Sequence, residues 1–475
     1  MTREKYLVIR KGSITVYLTL VMLLIFTILF TFLEGARYQG QIVNARMVSE
    51  AAIESVFAEY QRSLLERYDI FAIDGAYCDS EFEIGNVDKR FVQNLIMNSG
   101  SGAFSFSNMA GAVTDYKLLT DDMAEAYVSM AADYMKQELV VDMAQSAIST
   151  LATSTDDTSL SIDKSMKSLE ESQDALSSES NYTEEESTAI TEYEKQEAAN
   201  VSSDDKNIIN KVLSMRSVGI LPLVIENVSD ISSKAVNLND APSVRTLGSG
   251  THMDDRDVNT IDNAVFAAYL ADKFGNYRNV KENTALDYEL EYIYSGKESD
   301  RDNLEAVAES LVAIREVVNY AADIKDQAKM QKARIIAISI AGLLATPYLI
   351  SVIQMAVIGA WAFMESIEDV KQLMAGEKVT GIEGYENVRL SYEDYIKILL
   401  LIKSNRNRIY RSLDLIEQNI RLEDSYANFK IDNLIVGVSW DSCLTSDRKF
   451  AGLLATYNPF GASYELTSSG YYTYE

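Results

Sequence analysis

A run of twenty residues without a charged side chain, from Ile14 to Leu33, constrains this chain more than any other feature. As a helix rising ~1.5 Å per residue it is ~30 Å long, the thickness of a bilayer's hydrocarbon core. A secretory signal has a shorter apolar core and ends in small residues before its cleavage site. Cleavage after Ala36 would place Glu34 among those residues. The run is therefore predicted to be a retained membrane anchor.

The residues before this run predict its orientation. They hold four basic side chains and one acidic one, and the positive-inside rule keeps such a segment in the cytoplasm. We predict a single-pass protein of the cell membrane. It has a cytoplasmic tail at 1–11, a transmembrane helix at 12–34 that meets the lipid bilayer through residues 14–33, and its bulk outside the cell.

Composition removes several classes of function. The net charge of −28 repels a phosphate backbone, so no nucleic-acid partner is predicted. One histidine, His252, and two cysteines cannot form a Cys/His zinc site within one chain. No phosphate-binding loop, nucleophile elbow or C-x-x-C motif occurs. A calcium-like stretch from Asp255 has Thr260 and Phe266 where glycine and glutamate are needed. We predict no catalytic residue, no cofactor and no metal.

Apolar and small residues continue beyond the anchor with helical spacing, and charged residues fall between them. No proline interrupts this pattern. It predicts an extracellular stem helix at 35–67, so that one helix from about Ile14 to Arg67 spans the membrane and then lies under a globular head. The predicted buried stripe consists of Ile42, Ala45, Ser49, Ile53, Val56, Phe57, Tyr60 and Leu64.

Strand-like segments stand at both ends of the extracellular part. They lie at 67–75, 111–120, 433–440 and 462–475, the last with Ser468-Ser469-Gly470 as a hairpin turn. The predicted fold class is α+β and mainly helical. A long N-terminal membrane-anchored helix carries a small antiparallel sheet from both ends of the ectodomain.

This arrangement implies a pilin-like head made of residues 68–150 and 431–475, interrupted by a large helical insertion at 207–430. Within the insertion, residues 304–324 have strong helical periodicity, and Ser391 with Asp394 resembles a capping box. Residues 154–206 are rich in Ser, Thr and Glu, which predicts an acidic solvated linker.

A second uncharged run, 335–364, is long enough to cross a bilayer. Pro347 divides it, and its basic upstream and acidic downstream flanks oppose an outside-to-inside span. A buried helical hairpin is therefore the preferred interpretation. The alternative is a re-entrant or second spanning segment.

The residues around the anchor resemble a known family. Gly12 and Ser13 before the run, with Glu34 and Arg37 at its end, are similar to the N-termini of TadE/TadF/TadG pseudopilin-like proteins of tight-adherence (Flp-type) pilus loci. The resemblance implies prepilin-like processing at Gly12–Ser13, and a stem interface where Glu34 and Arg37 contact other membrane components. Processed prepilins carry Glu at the fifth mature position, where this chain has Tyr17, so we expect little or no cleavage.

The segments 215–225, 285–307 and 360–379 resemble a Gram-positive family of unknown function found with such loci. Together the two resemblances imply a structural or assembly component of a tight-adherence pilus or secretion apparatus, with other membrane proteins of that apparatus as partners. Two alternatives remain. One is a membrane-anchored extracellular enzyme, such as a cell-wall carbohydrate hydrolase with paired carboxylates, and the other is an adhesin.

The two cysteines offer a further prediction. Cys78 follows the first strand-like segment and Cys443 follows the third. If the terminal strands share one sheet, these residues could form a disulfide, which the oxidising exterior permits. The alternative is two unrelated free thiols that act as small apolar residues.

Overall fold

The computed structural model describes residues 3–77, 82–100, 102, 104–138, 190–251, 260–342, 347–380, 389–450 and 463–474. The described chain is mainly helical with small antiparallel sheets and a long apolar N-terminal helix, which confirms the predicted α+β class. It divides into two compact units. Unit 1 comprises Met1–Met130, Leu247–Asp257 and Ser425–Glu475; unit 2 comprises Ala131–Thr246 and Val258–Asp424.

Unit 1 is built on a four-stranded antiparallel sheet. Its central strand β5 (Leu434–Asp447) pairs along one side with β2 (Asn108–Leu118) and along the other with β1 (Ile73–Asp74) and β6 (Ser463–Thr473). Strands from both ends of the chain therefore meet in one sheet. The helices of unit 1 that precede β2 in the chain are α1 (Arg3–Phe57), α2 (Arg62–Tyr68) and α3 (Ile84–Asn98). Helix α4 (Asp121–Glu138) follows β2.

Helix α1 ends at Phe57, so the predicted continuous helix to Arg67 is wrong at 58–61. The backbone N–H of Gln61 donates to the carbonyl of Ala72 at 2.8 Å instead of to its helical acceptor, Phe57. The Phe57 carbonyl accepts from the Tyr474 hydroxyl. Two tertiary hydrogen bonds thus replace one helical bond, and the chain turns into α2.

The core of unit 1 lies between α1, α3 and one face of the sheet. Phe57 packs on Tyr472 with ring centroids 4.5 Å apart, and Phe91 packs on Trp440 at 5.7 Å. Most of the predicted stripe is buried here, but Ile42 and Tyr60 are exposed. The helix face beneath the head is therefore the predicted one, apart from these two positions.

The predicted hairpin turn at Ser468-Ser469-Gly470 is also wrong, because β6 runs straight through it. Gly470 lies opposite Trp440. A Cβ atom on residue 470 would come within 2.7 Å of the Trp440 ring. This glycine provides space for an indole ring and does not mark a turn.

Unit 2 is a helical assembly with a short two-stranded sheet. Its helices are α5 (Glu192–Ala199), α6 (Ser203–Lys206), α7 (Ile208–Val218), α8 (Leu221–Val224), α9 (Thr260–Lys273), α10 (Glu289–Ser295), α11 (Asp300–Lys325), α12 (Gln327–Ala341), α13 (Pro347–Ala375), α14 (Tyr392–Ile402) and α15 (Asn405–Arg421); the strands are β3 (Val379–Thr380) and β4 (Arg389–Leu390). The Ser391–Asp394 capping box opens α14, as predicted.

The second apolar run forms two helices. Helix α12 ends before Gly342, whose φ of 84° suits only glycine, and α13 begins at Pro347. Helix α13 is long and apolar enough to cross a membrane, yet 61% of its most apolar window is buried within the protein. Most of its apolar surface is therefore covered by protein.

The predicted acidic linker is wrong in its last part. Residues 192–206 form α5 and α6, and Thr191 with Glu194 makes a capping box. Arg334 on α12 donates to Glu194 at 2.8 Å, which holds α5 against the bundle. Residues 154–189 of the predicted linker lie outside the described part of the chain.

Candidate membrane-attachment site

Residues 14–33 of α1, called its apolar half below, expose a continuous apolar surface. The helix has a mean hydropathy of 2.6 over its most apolar window, and none of that window is buried. An exposed apolar surface of this extent is unfavourable in water. This segment is compatible with a membrane anchor or a signal sequence. The exposed large side chains are Ile14, Val16, Tyr17, Leu18, Leu20, Met22, Leu23, Leu24, Ile25, Phe26, Ile28, Leu29, Phe32 and Leu33.

Threonine hydroxyls within this segment bond to their own helix. Thr19 donates to the Val16 carbonyl at 2.8 Å, Thr27 to Leu23 at 2.7 Å, and Thr31 to Thr27 at 2.7 Å. In hydrocarbon no water can satisfy such groups, so a spanning segment must satisfy them internally. These three hydroxyls meet that requirement.

The apolar segment ends in a buried ion pair. Glu34 and Arg37 are 4% and 5% exposed, with 3.2 Å between Glu34 Oε1 and Arg37 Nη1. Arg37 also donates to the carbonyl of Asp447 at 2.9 Å and to Ser446 Oγ at 3.0 Å. Glu34 Oε2 accepts from the backbone N–H of Phe450 at 2.7 Å. The pair ties α1 to the end of β5.

This geometry corrects the prediction that Glu34 and Arg37 form a stem interface with other membrane components. Both side chains bind within their own unit and are almost inaccessible. The sequence showed that the two charges end the apolar run. It did not show that residues more than 400 positions away would cover them.

Polar contacts continue along α1 beyond the ion pair. Gln41 donates to Ser446 Oγ, and the hydroxyls of Ser49 and Ser442 are 2.7 Å apart. The Tyr474 hydroxyl then caps the Phe57 carbonyl. The second half of α1 is therefore fixed along its length to β5 and β6, and the apolar first half extends from it as part of the same helix.

Other predicted site residues are placed as follows. Gly12 and Ser13 lie within helix α1. Cys443 on β5 is bonded to no cysteine among the described residues. Cys78 lies outside the described residues, so the Cys78–Cys443 disulfide stays a prediction. His252 and the calcium-like stretch from Asp255 to 259 also lie outside them. Among the described residues, no group of three or more His, Cys, Asp or Glu side chains could hold a metal ion.

Unit 2 contains a cluster of buried carboxylates, and paired carboxylates are the groups that the enzyme alternative requires. Glu291 is fully buried, and its Oε1 accepts from the Tyr277 N–H at 2.8 Å and from the Tyr392 hydroxyl at 2.6 Å. Burial raises the pKa of Glu291 to about 7. Glu289 accepts from the Gly275 N–H at 2.7 Å and from Asn419 at 2.6 Å.

Three neighbouring acidic side chains, Asp300, Asp414 and Glu417, also accept hydrogen bonds from residues in loops. Asp300 accepts from the backbone N–H groups of Asp287 and Tyr288 at 2.9 and 3.1 Å. Asp414 accepts from the Ser243 N–H at 2.8 Å, and Glu417 binds Arg245 through both oxygens. Each carboxylate fixes a loop that lacks regular backbone pairing. All five are buried, so the arrangement is that of a structural network.

Sequence reasoning missed this network although part of it lies in one short segment. Glu289, Glu291 and Asp300 fall within 285–307, where acids alternate with Leu and Tyr. Acids spaced among residues that are usually buried are a signal for buried, paired carboxylates.

Residues 198–390 and 382–446 match DUF5702, a family of unknown function, over just more than half of the chain. The chain belongs to this family. The DUF5702 match includes the carboxylate network and most of β5, whereas the apolar half of α1 precedes it. No curated protein and no solved structure matches the chain. Membership of a family of unknown function is thus confirmed, and an association with tight-adherence loci stays a prediction.

Proposed function

We propose that this protein is a membrane-anchored extracellular structural or assembly component of a tight-adherence type pilus or secretion apparatus. One observation carries the proposal. A single helix, α1, is bare and apolar in its first half and forms part of the core of a sheet-containing head in its second half. This architecture suits a protein that holds its head at a fixed height above a bilayer.

The proposed orientation has the N-terminus in the cytoplasm and both units outside. The basic residues before the apolar run support it. Because Glu34 and Arg37 are buried in the head, contacts with other proteins of the apparatus would use other surfaces. The N-terminus is proposed to remain uncut at Gly12–Ser13, and N-terminal sequencing of protein from native membranes tests this: a chain that begins mostly at Ser13 would overturn it.

Single-cysteine labelling tests the topology. In a background lacking Cys78 and Cys443, cysteines replace the exposed residues Tyr193, Leu422 and Tyr471. All three should react with a membrane-impermeant maleimide on intact protoplasts. If none reacts until the cells are permeabilised, the orientation is reversed. Reaction at 193 without reaction at 422 would mean that α13 crosses the membrane.

A gene deletion tests the assembly role. Cells without the protein should lose surface pili while their cell-wall composition stays unchanged, and the intact gene should restore them. Altered wall fragments with normal pili would favour the hydrolase alternative. Normal pili and wall with lost surface binding would favour the adhesin.

A further inference from the structure

Phe450, just after β5, stacks on the apolar half of α1. Its ring centroid lies 6.2 Å from that of Phe30, with the planes at 13°. Phe30 in turn stacks on Phe26 at 6.1 Å. The backbone N–H of Phe450 donates to Glu34. Two independent contacts, a ring stacking and a hydrogen bond, therefore fix the position of Phe450 along the axis of α1.

This position falls inside the uncharged run. Phe30 precedes Leu33 by three residues, or ~4.5 Å of helix. If the run lies in a bilayer, the Phe450 ring reaches below the level at which the helix leaves the hydrocarbon. That is the interfacial zone where aromatic side chains concentrate in membrane proteins.

Two basic residues directly precede Phe450. The Arg448 guanidinium lies over the Tyr464 ring at 4.4 Å, and Tyr464 packs on Tyr38 at 4.7 Å. Lys449 is exposed and donates to the Gly102 carbonyl at 2.6 Å. If residues 14–33 lie in a bilayer, these two cations, adjacent to Phe450 in a chain with a net charge of −28, lie near the phospholipid phosphates.

We propose that Arg448, Lys449 and Phe450 form a second, non-spanning contact with the bilayer. Phe450 enters the interface, and the two cations bind the headgroups of anionic phospholipids. The inference rests on the proposed function, because it requires the apolar half of α1 to lie in the membrane. It adds that the head rests on the lipid surface instead of standing clear of it.

Tryptophan quenching tests the depth. The full chain is placed in nanodiscs whose lipids carry bromine near the headgroup or near the ends of the acyl chains. The fluorescence of each tryptophan variant is compared with that of the parent protein, which has two tryptophans. The emission that Phe450→Trp adds should be quenched by bromine near the headgroup. The emission that Phe26→Trp adds should be quenched by bromine near the chain ends. Tyr471→Trp, at the opposite end of β6, should lose none of its added emission.

The outcomes separate the two proposals. Quenching at 26 but not at 450 would overturn the second contact and leave the anchor intact. No quenching at 26 would overturn the anchor itself. Quenching at 471 equal to that at 450 would mean that lipid touches the whole head, and the specific contact would be wrong.

Spin-labelled lipids test the headgroup preference. The fraction of spin-labelled lipid whose motion the parent protein restricts should be larger for phosphatidylglycerol than for phosphatidylcholine. The double variant Arg448→Gln/Lys449→Gln should lower this difference, whereas Lys89→Gln, exposed on α3, should keep it, because the basic residues before Ile14 are present in all three proteins. An equal fraction of both lipids around the parent, or the same loss in the Lys89 variant, would contradict the assignment.

Discussion

Two helices of this protein are apolar enough to cross a bilayer, and they differ in what covers them. The window in α1 has a mean hydropathy of 2.6 and is 0% buried, whereas the window in α13 has 1.6 and is 61% buried. Both helices are long and apolar enough to cross a membrane, so this criterion does not distinguish them. The hydrogen bonds of their polar side chains do distinguish them.

In α1 the threonines bond to carbonyls of their own helix. In α13 two polar side chains bond to other helices: Gln354 donates to the Met330 carbonyl at 2.9 Å, and Asp369 accepts from Arg315 at 2.8 Å. Ser366 is an exception, since it donates to the Phe363 carbonyl of α13 itself. A helix that satisfies its own polar groups needs no protein around it. A helix whose polar groups require partners belongs in a protein core.

The largest expected effect comes from placing a charge in each helix. Val357 on α13 is fully buried, so Val357→Asp should destabilise unit 2 by more than ~4 kcal/mol and unfold it. Leu24→Asp in α1 should leave thermal unfolding unchanged and reduce the membrane-bound fraction. Circular dichroism and cell fractionation measure the two effects. Equal loss of folding in both variants would erase the distinction between the helices.

Breaking the buried Glu34–Arg37 ion pair should lower stability more than breaking an exposed ion pair on the same helix. Arg37→Ala leaves Glu34 buried without its cation, and such losses cost about 3–5 kcal/mol. Arg46, paired with Glu50, is 74% exposed, so Arg46→Ala should leave the free energy of unfolding nearly unchanged. Hydrogen exchange at residues 442–450 should rise in the first variant alone. A matching rise in both would show that the buried pair does not hold β5.

The two units should also differ in their response to pH. The pKa of Glu291, raised to about 7 by burial, means that folded unit 2 holds a proton that the unfolded chain releases near pH ~4.3. The contribution of Glu291 to stability is therefore full below that pH and falls as pH rises to about 7, by roughly 3–4 kcal/mol. The pKa of Asp300 is raised in the same direction, also by burial.

Thermal unfolding of the full chain at pH 5 and pH 8 measures this effect. The transition of unit 2 should move down at pH 8, and Glu291→Gln should reduce the shift. In unit 1 the groups with raised pKa values are tyrosines, such as Tyr77 at about 12, and the arginines Arg46 and Arg62, and none of them changes its charge in this range. A shift that survives the substitution would assign the pH response to other groups.

The smallest effect concerns single polar groups in the two helices. Gln354→Met removes a hydrogen bond between helices and should cost about 1 kcal/mol. Thr27→Val removes a bond within one helix and should change stability by less than ~0.5 kcal/mol. Chemical denaturation in detergent gives both values. A larger cost at Thr27 would indicate that its hydroxyl has a role beyond its own helix.

The parts of the fold that were predictable rest on local patterns. The spacing of Ala45, Ser49, Ile53 and Val56 identified the buried face of α1, because each residue's position on a helix follows from its number. The same reasoning identified α11. The Ser391 capping box was recognisable because its two partners are three residues apart.

The parts that were not predictable depend on partners far along the chain. Helix α1 breaks after Phe57 because Ala72 and Tyr474 supply its hydrogen bonds. Gly470 looked like a turn residue because its neighbour in space, Trp440, is thirty positions away. Glu34 and Arg37 looked free to bind other proteins for the same reason. Local sequence shows which groups need partners, but the fold decides where those partners come from.

Strand β5 and its partner β6 have a consequence for how the protein is made. Ribosomes synthesise α1 before β5 and β6, which cover its buried face and emerge some 400 residues later. During that interval Ile53, Val56 and Phe57 have no sheet to pack on, although the residues of unit 2 have been synthesised nearly to their end. We expect the nascent head to depend on a chaperone at helix α1 until β5 and β6 have been synthesised.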